Sequence, residues 1–186
     1  RGYVNGWGRC VMATVIRGDD NFDTATPITS GSIALIADQI PDVGGSGGGG
    51  TFTSGAQRVR NLNTIASDSD NIVSLANNQF TLQAGTYTIR WAAPAHRVNR
   101  HQSNLHNVTS NALVMVGTSS LTAQTNNDST TESRGTAVVT LSSAAAFEIR
   151  HECQTTYATY GFGIGGGNST GNIAEVFTTV EIIKHH

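Results

Sequence analysis

The residues Thr86-Tyr87-Thr88-Ile89-Arg90-Trp91 put Tyr, Ile and Trp at alternate positions, and nowhere does an amphipathic helical pattern compete with this period of two. Alternation places Tyr87, Ile89 and Trp91 on one face of a strand and Thr86, Thr88 and Arg90 on the other. Gly85 precedes the run and Pro94 closes it, so the strand is expected between them. Elsewhere apolar residues alternate or come in short runs broken by Gly, Asn, Asp and Ser. The same reading predicts strands over 11–17, 32–40, 57–62, 72–75, 79–82, 98–108, 112–117, 135–141, 146–155, 160–164 and 174–184. About twelve short strands separated by turn signals describe an all-β sandwich or barrel.

Composition supports a folded β domain over a disordered chain. Charged residues make up only 13% of the 186 residues, and the net charge is −2. The place of the missing charge is taken by Thr, Ser, Asn, Gly and Gln, while Val, Ile and Thr stay plentiful. Disorder ordinarily goes with high net charge and few β-branched residues. The near-neutral balance points to neither a nucleic-acid nor a membrane-surface partner, and no apolar run reaches the roughly 18 residues that cross a bilayer. No secretory signal is evident. The chain starts at Arg1, so a fragment or processed product is expected, and His185 and His186 read as a tag remnant.

Motifs that would carry catalysis or cofactor binding are weak. Gly45-x-Gly47-x-x-Gly50 and Gly161-x-Gly163-x-x-Gly166 match a dinucleotide pattern, but no helical segment follows either. His96, His101 and His106 recur every five residues, which puts neighbours on opposite faces of a straight strand and keeps them from one metal. Asp68 and Asp70 sit among serines in a turn-like stretch. Glu148 and Glu152 have the look of a paired-carboxylate site, yet they share one face of one strand with Arg150 between them. Cys10 and Cys153 form no CxxC motif. Two separate thiols and a Cys10–Cys153 disulfide both remain open readings. No catalytic residue, cofactor or metal is therefore assigned.

Charge is segregated along the chain. No acid occurs between Asp70 and Asp128, an interval that holds Arg90, His96, Arg97, Arg100, His101 and His106. Ten of the eleven Lys and Arg residues are Arg, the exception being Lys184, and Arg favours fixed, bidentate pairing. Arg100, Gln102, Asn104 and His106 share a face of one predicted strand. Glu148, Arg150, Glu152 and Gln154 share a face of another. Arg97, Arg100, His101, Glu148, Arg150 and Glu152 are therefore the candidate buried polar network or subunit interface, with every buried charge requiring a partner.

Four separated stretches resemble one family. They are Gly50-Thr51-Phe52-Thr53-Ser54-Gly55-Ala56 with Arg58-x-Arg60-Asn61-Leu62-Asn63; Asn78-Gln79-Phe80-Thr81-Leu82-x-Ala84-Gly85-Thr86-Tyr87; Ala93-Pro94-Ala95-x-Arg97-Val98-x-Arg100-His101-Gln102 with Asn107-Val108-Thr109; and His151-x-Cys153-Gln154-Thr155-Thr156 with Thr159-x-Gly161-Phe162-Gly163. Together they resemble the jelly-roll domains at the C-termini of phage tail-fibre and other virion proteins. Those are distantly similar to the globular heads of complement and tumour-necrosis-factor proteins. The resemblance spans Ser32 to Lys184 and implies a ten-stranded jelly-roll sandwich, a homotrimer and a place on the virion surface. Gln57 stands where the family is associated with an aromatic, so one packing contact is expected to differ. Residues 1–31 read as a connector or docking segment toward other virion proteins, and 32–184 as the jelly roll.

The resulting expectation is a non-enzymatic fibre tip that attaches to a host-surface glycan or protein. The rivals are a capsid decoration or head fibre without its own receptor, and a polysaccharide-degrading fibre enzyme. Ser119 to Ser133 is polar and almost without apolar anchors, and is expected to be a display loop. Gln124, Asn126, Asn127, Asp128 and Thr130 are its candidate receptor contacts.

Overall fold

A computed structural model describes residues 31–41, 47–123, 129–166 and 173–186, and these contain twelve strands and no helix. In chain order they are β1 (Ser32–Ile40), β2 (Arg58–Val59), β3 (Thr64–Asp68), β4 (Val73–Ala76), β5 (Gln79–Leu82), β6 (Gly85–His96), β7 (Asn99–Asn107), β8 (Ala112–Val116), β9 (Ser120–Thr122), β10 (Thr130–Leu141), β11 (Ala145–Cys153) and β12 (Glu175–His185). They build two packed sheets. The first runs β10-β6-β12-β1-β3, and the second runs β4-β5-β11-β7-β8, with β2 paired to β11 and β9 paired to β7 off that path.

The alternation at Thr86–Trp91 extends farther than Pro94 suggested. Tyr87, Ile89, Trp91, Ala93 and Ala95 are all buried in β6. Pairing of β6 with β12 ends at Ala92, opposite Thr179. Pro94 thus lies past that ladder, and the next N–H aimed the same way, that of His96, goes to Gly161 O at 3.0 Å. The missing proline N–H removes no strand pairing there, so the strand continues.

Two apolar clusters fill the space between the sheets. The larger holds Ile36, Leu62, Phe80, Leu82, Tyr87, Ile89, Trp91, Leu105, Phe147, Ile149, Val180 and Ile182. The smaller holds Phe52, Ala95, Val98, Cys153 and Phe162. Trp91 ties the sheets together, its indole N–H donating to Ser103 Oγ at 2.8 Å. Its ladder partner is Gly135, and a Cβ at position 135 would run into the indole ring. Glycine is required there by close approach rather than by backbone angle.

Register gives the sandwich two distinct ends. Ser32 pairs with Lys184, His185 with Thr86, and Leu141 with Gly85. From there β6 runs for 12 residues, about 40 Å at ~3.3 Å per residue, to His96 opposite Thr130. The start of β1 and the end of β12 therefore lie at one end, and the β6–β7 hairpin lies at the other. β12 includes His185, whose ring meets Thr88 Oγ1 at 2.8 Å.

Several sequence-based boundaries change. Thr64–Asp68 and Ser120–Thr122 are strands that the sequence reading missed. β3 is an edge strand with Ile65, Ala66 and Ser67 all exposed, so it carries no alternation to read. The expected strand over 160–164 is instead a turn, with Ile164 in a single bridge to Gly48. Gly161 makes that turn possible by packing its bare Cα against Phe52 and Tyr157 O. The expected strand over 11–17 lies outside the described residues.

Candidate functional site

The outward face of the second sheet carries a polar ladder. β11 lies antiparallel to β7, with Glu148 opposite His106, Arg150 opposite Asn104 and Glu152 opposite Gln102. The two faces read from the sequence are thus one surface. Glu148 is buried, accepting from Arg150 Nε at 2.7 Å and from Gln79 Nε2 at 3.0 Å. Its ion pair is therefore with its own strand neighbour. Arg100 and Glu152 are exposed, and among the described residues neither makes an ion pair. Arg97 sits in the β6–β7 hairpin at φ 54° with its guanidinium 5.0 Å from the Tyr157 ring. His106 faces outward and meets Asn111 Oδ1 at 3.2 Å. His101, five residues earlier, points to the opposite face and leaves the ladder.

Behind the ladder lies a buried polar stack of which the sequence reading singled out only His101. Arg60 is fully buried, donating from Nε to Thr178 Oγ1 at 2.6 Å and from an Nη to Phe162 O at 2.9 Å. Its guanidinium lies 4.1 Å from the Phe162 ring. Phe162 lies 4.4 Å from Phe52, Phe52 lies 4.7 Å from His151, and His151 lies 5.0 Å from His101. Burial pushes Arg60 down to about 9, with buried Asp38 acting against the shift, so the guanidinium keeps its proton at neutral pH. Burial raises the Asp38 carboxyl, and Arg60 offsets part of that.

Burial, then the Arg60 charge, holds His101 down to about 4. Burial, Arg60 and His101 together hold His151 well below the ordinary histidine range. Both rings are neutral at pH 7. The Thr131 hydroxyl donates to Leu121 O and accepts from Ser120 Oγ, so His101 Nε2 is assigned as its second donor, at 2.9 Å. His101 Nδ1 then accepts from His151 Nε2. Phe52, Arg60, His101, His151 and Phe162 all stand in the stretches that carry the resemblance, but nothing in them signals that Arg60 is buried. Residue type alone places Arg outside the core.

Two clefts on the surface of the described residues bear on function. One, of about 680 Å³, lies where β7, β9 and the end of β11 meet, and is lined by Arg100, Gln102, Ser120, Leu121, Glu152 and Gln154, with Gly55 and Ala56 on its rim. Cys153 borders it, its thiol pushed up to about 11 chiefly by burial, so it stays protonated and unreactive. Cys10 lies outside the described residues. The other, of about 870 Å³, lies on the outward face of the first sheet beside Leu35, Ala92, Val116, Thr136 and Val176, and includes the Arg90–Glu181 ion pair at 2.7 Å.

The expected display loop over 119–133 is shorter than the sequence implied. β9 and β10 occupy its two ends, because Ser120–Thr122 pairs with Asn99–His101 and Thr130–Ser133 pairs with Ala93–His96. Thr130 is a strand residue bonded through Oγ1 to His96 Nδ1 at 3.1 Å. Gln124, Asn126, Asn127 and Asp128 lie outside the described residues. Their flanks, Ala123 and Ser129, are held together by a 3.0 Å hydrogen bond at the hairpin end of the sandwich.

The arrangement of the sheets has known counterparts. The globular domain of zebrafish complement 1qA protein superposes with a TM-score of 0.52 at 11% identity, over 84% of this chain and 98% of that one. The fold is the complement and tumour-necrosis-factor type of jelly roll. The Eiger tumour necrosis factor of S. frugiperda matches with a TM-score of 0.52 at 9% identity, over 84% of this chain and 94% of that one. Murine APRIL at pH 5.0 matches at 0.51 and 8% identity, over 83% and 99%. Identities this low speak of fold alone. No protein-family model matches the sequence, and no curated protein matches it.

Proposed function

We propose that this jelly roll is a non-catalytic recognition head that assembles as a homotrimer, tips a phage fibre on the virion surface, and meets the host with its hairpin end. The observation that carries the reading is a pair of unlike exposed apolar surfaces. The outward face of the first sheet presents Ile33, Leu35, Val138 and Val176, and the β8 edge presents Leu113 and Met115. A soluble chain rarely leaves such patches bare, and an apolar edge strand invites pairing. Two unlike patches that meet make a head-to-tail contact, which forms a ring when its rotation closes. The family resemblance implies a ring of three, and an obligate interface of that kind buries about 2,000 Å² or more.

The polarity of the sandwich supports the rest. β1 begins and β12 ends at one end, which suits an attachment through residues 1–31 to other virion proteins. The β6–β7 hairpin lies at the other with Ala123 and Ser129 beside it, which suits display. The carboxylate and thiol best placed for chemistry are engaged or protonated: Glu148 holds Arg150 and Gln79, and the Cys153 thiol is pushed up to about 11. Competition tests the reading. Isolated head should block adsorption of the parent phage to host cells, and labelled antibody should mark fibre tips by electron microscopy. Undiminished adsorption together with label confined to the capsid would contradict it.

A further inference from the structure

The cleft between β7, β9 and the end of β11 contains a donor and an acceptor that no neighbour among the described residues pairs with. Arg100 and Glu152 both line it and are exposed, and among the described residues neither makes an ion pair. Gln154 lines the same wall and is also exposed. Ser120 Oγ donates to Thr131 Oγ1 at 3.0 Å, which leaves its lone pairs to accept. Leu121 leaves 62% of its surface open beside them.

We infer that this cleft binds an uncharged oligosaccharide, a segment of two or three sugar units. Adjacent sugar hydroxyls each donate and accept, so one pair can satisfy a guanidinium and a carboxylate together. Leu121 and Ala56 supply apolar surface for the C–H face of a ring. The formal charges of Arg100 and Glu152 cancel, so the cleft offers no net positive charge to hold a uronate, sialate or phosphate. About 680 Å³ lies within the roughly 300–1,000 Å³ of small-molecule sites. A folded protein partner needs a broad surface of about 800 Å² per side rather than a concave site. Arg100 stands at the start of β7, just past the β6–β7 hairpin, so the inference rests on the reading that this end faces the host.

The test uses the full chain on an array of uncharged hexose and N-acetylhexosamine oligosaccharides printed beside sialylated and uronate ones. The strongest uncharged trisaccharide is then titrated by calorimetry. Binding is expected for uncharged glycans, weakened about tenfold or more, roughly one good hydrogen bond, by Arg100→Ala and by Glu152→Gln. Melting temperature and sedimentation should not change in either variant. Binding confined to acidic glycans, binding to none, or uncharged-glycan binding that survives both substitutions overturns the inference. Host-cell adsorption measured in parallel separates the two claims. Adsorption that ignores both substitutions, with no glycan bound, removes the cleft and leaves host attachment intact. Trisaccharide binding that depends on Arg100 and Glu152, without adsorption, supports the cleft and removes host attachment.

Discussion

His101 Nδ1 lies 2.9 Å from His151 Nε2, deep between the sheets and within the field of the buried Arg60 charge. Both rings must stay neutral for that bond and for Arg60 to coexist. A histidine with a depressed folded value binds its proton more readily when unfolded. Stability is therefore full above the ordinary value of 6.5 and falls as pH drops toward about 4. The raised Asp38 carboxyl works the other way, so the informative quantity is a difference between variants. Melting temperatures from pH 7.5 to 4.5 should fall more steeply for wild type than for His101→Gln. Parallel curves would show that the pair does not govern acid sensitivity.

Glu148 is the carboxylate whose loss should matter. It is 4% exposed and holds both Arg150 and Gln79. Breaking a fully buried pair costs about 3–5 kcal/mol, and the partly exposed Arg150 brings the expectation for Glu148→Ala to about 2 kcal/mol. Glu152→Ala should lie within about 0.5 kcal/mol of wild type, as exposed substitutions do. Urea denaturation of both variants checks the contrast, and equal losses would contradict the placement of these two side chains.

Gly135→Ala should cost about 1–3 kcal/mol, as overpacking does, because the added methyl meets the Trp91 indole. Trp91 fluorescence should shift with it, since the ring must move from Ser103. An unshifted spectrum at full stability would contradict the close approach.

Much of the β architecture was legible because alternation is a direct consequence of a half-buried strand. Tyr87, Ile89 and Trp91 announce β6, and the Glu148–Arg150–Glu152 face is real. The sign of exposure was not legible. Nothing in a period of two tells which polar face is buried, so Glu152 and Glu148 looked alike. His101 was expected in a buried polar network, but its partner His151 was not, since both occupy core-facing positions that pattern reading reserves for apolar side chains. β3 and β9 escaped because edge strands can be polar on both faces, and β9 with the start of β10 hid inside a run of Ser and Thr. Arg60 was hidden because only a tertiary arrangement, Thr178 and Phe162 reaching it from elsewhere in the chain, makes its burial tolerable.

The connection between β9 and β10 gives a direct test of the display end. Replacing 124–128 with a short Gly-Ser turn leaves β9, β10 and the Ala123–Ser129 bond in place. The melting temperature should stay within about 2 °C, the scale of surface changes well below 1 kcal/mol. Adsorption to host cells should fall several-fold. Unchanged adsorption would move the receptor contact away from this connection.

Assembly is the central claim, and sedimentation equilibrium at micromolar concentration tests it most directly. The account predicts a single species at three times the 19.5 kDa chain mass. It predicts dissociation when Leu35 on the first sheet face or Leu113 on the β8 edge becomes Glu, since each variant spoils one of the two unlike surfaces. A wild-type protein that sediments as a 19.5 kDa monomer at those concentrations would contradict it.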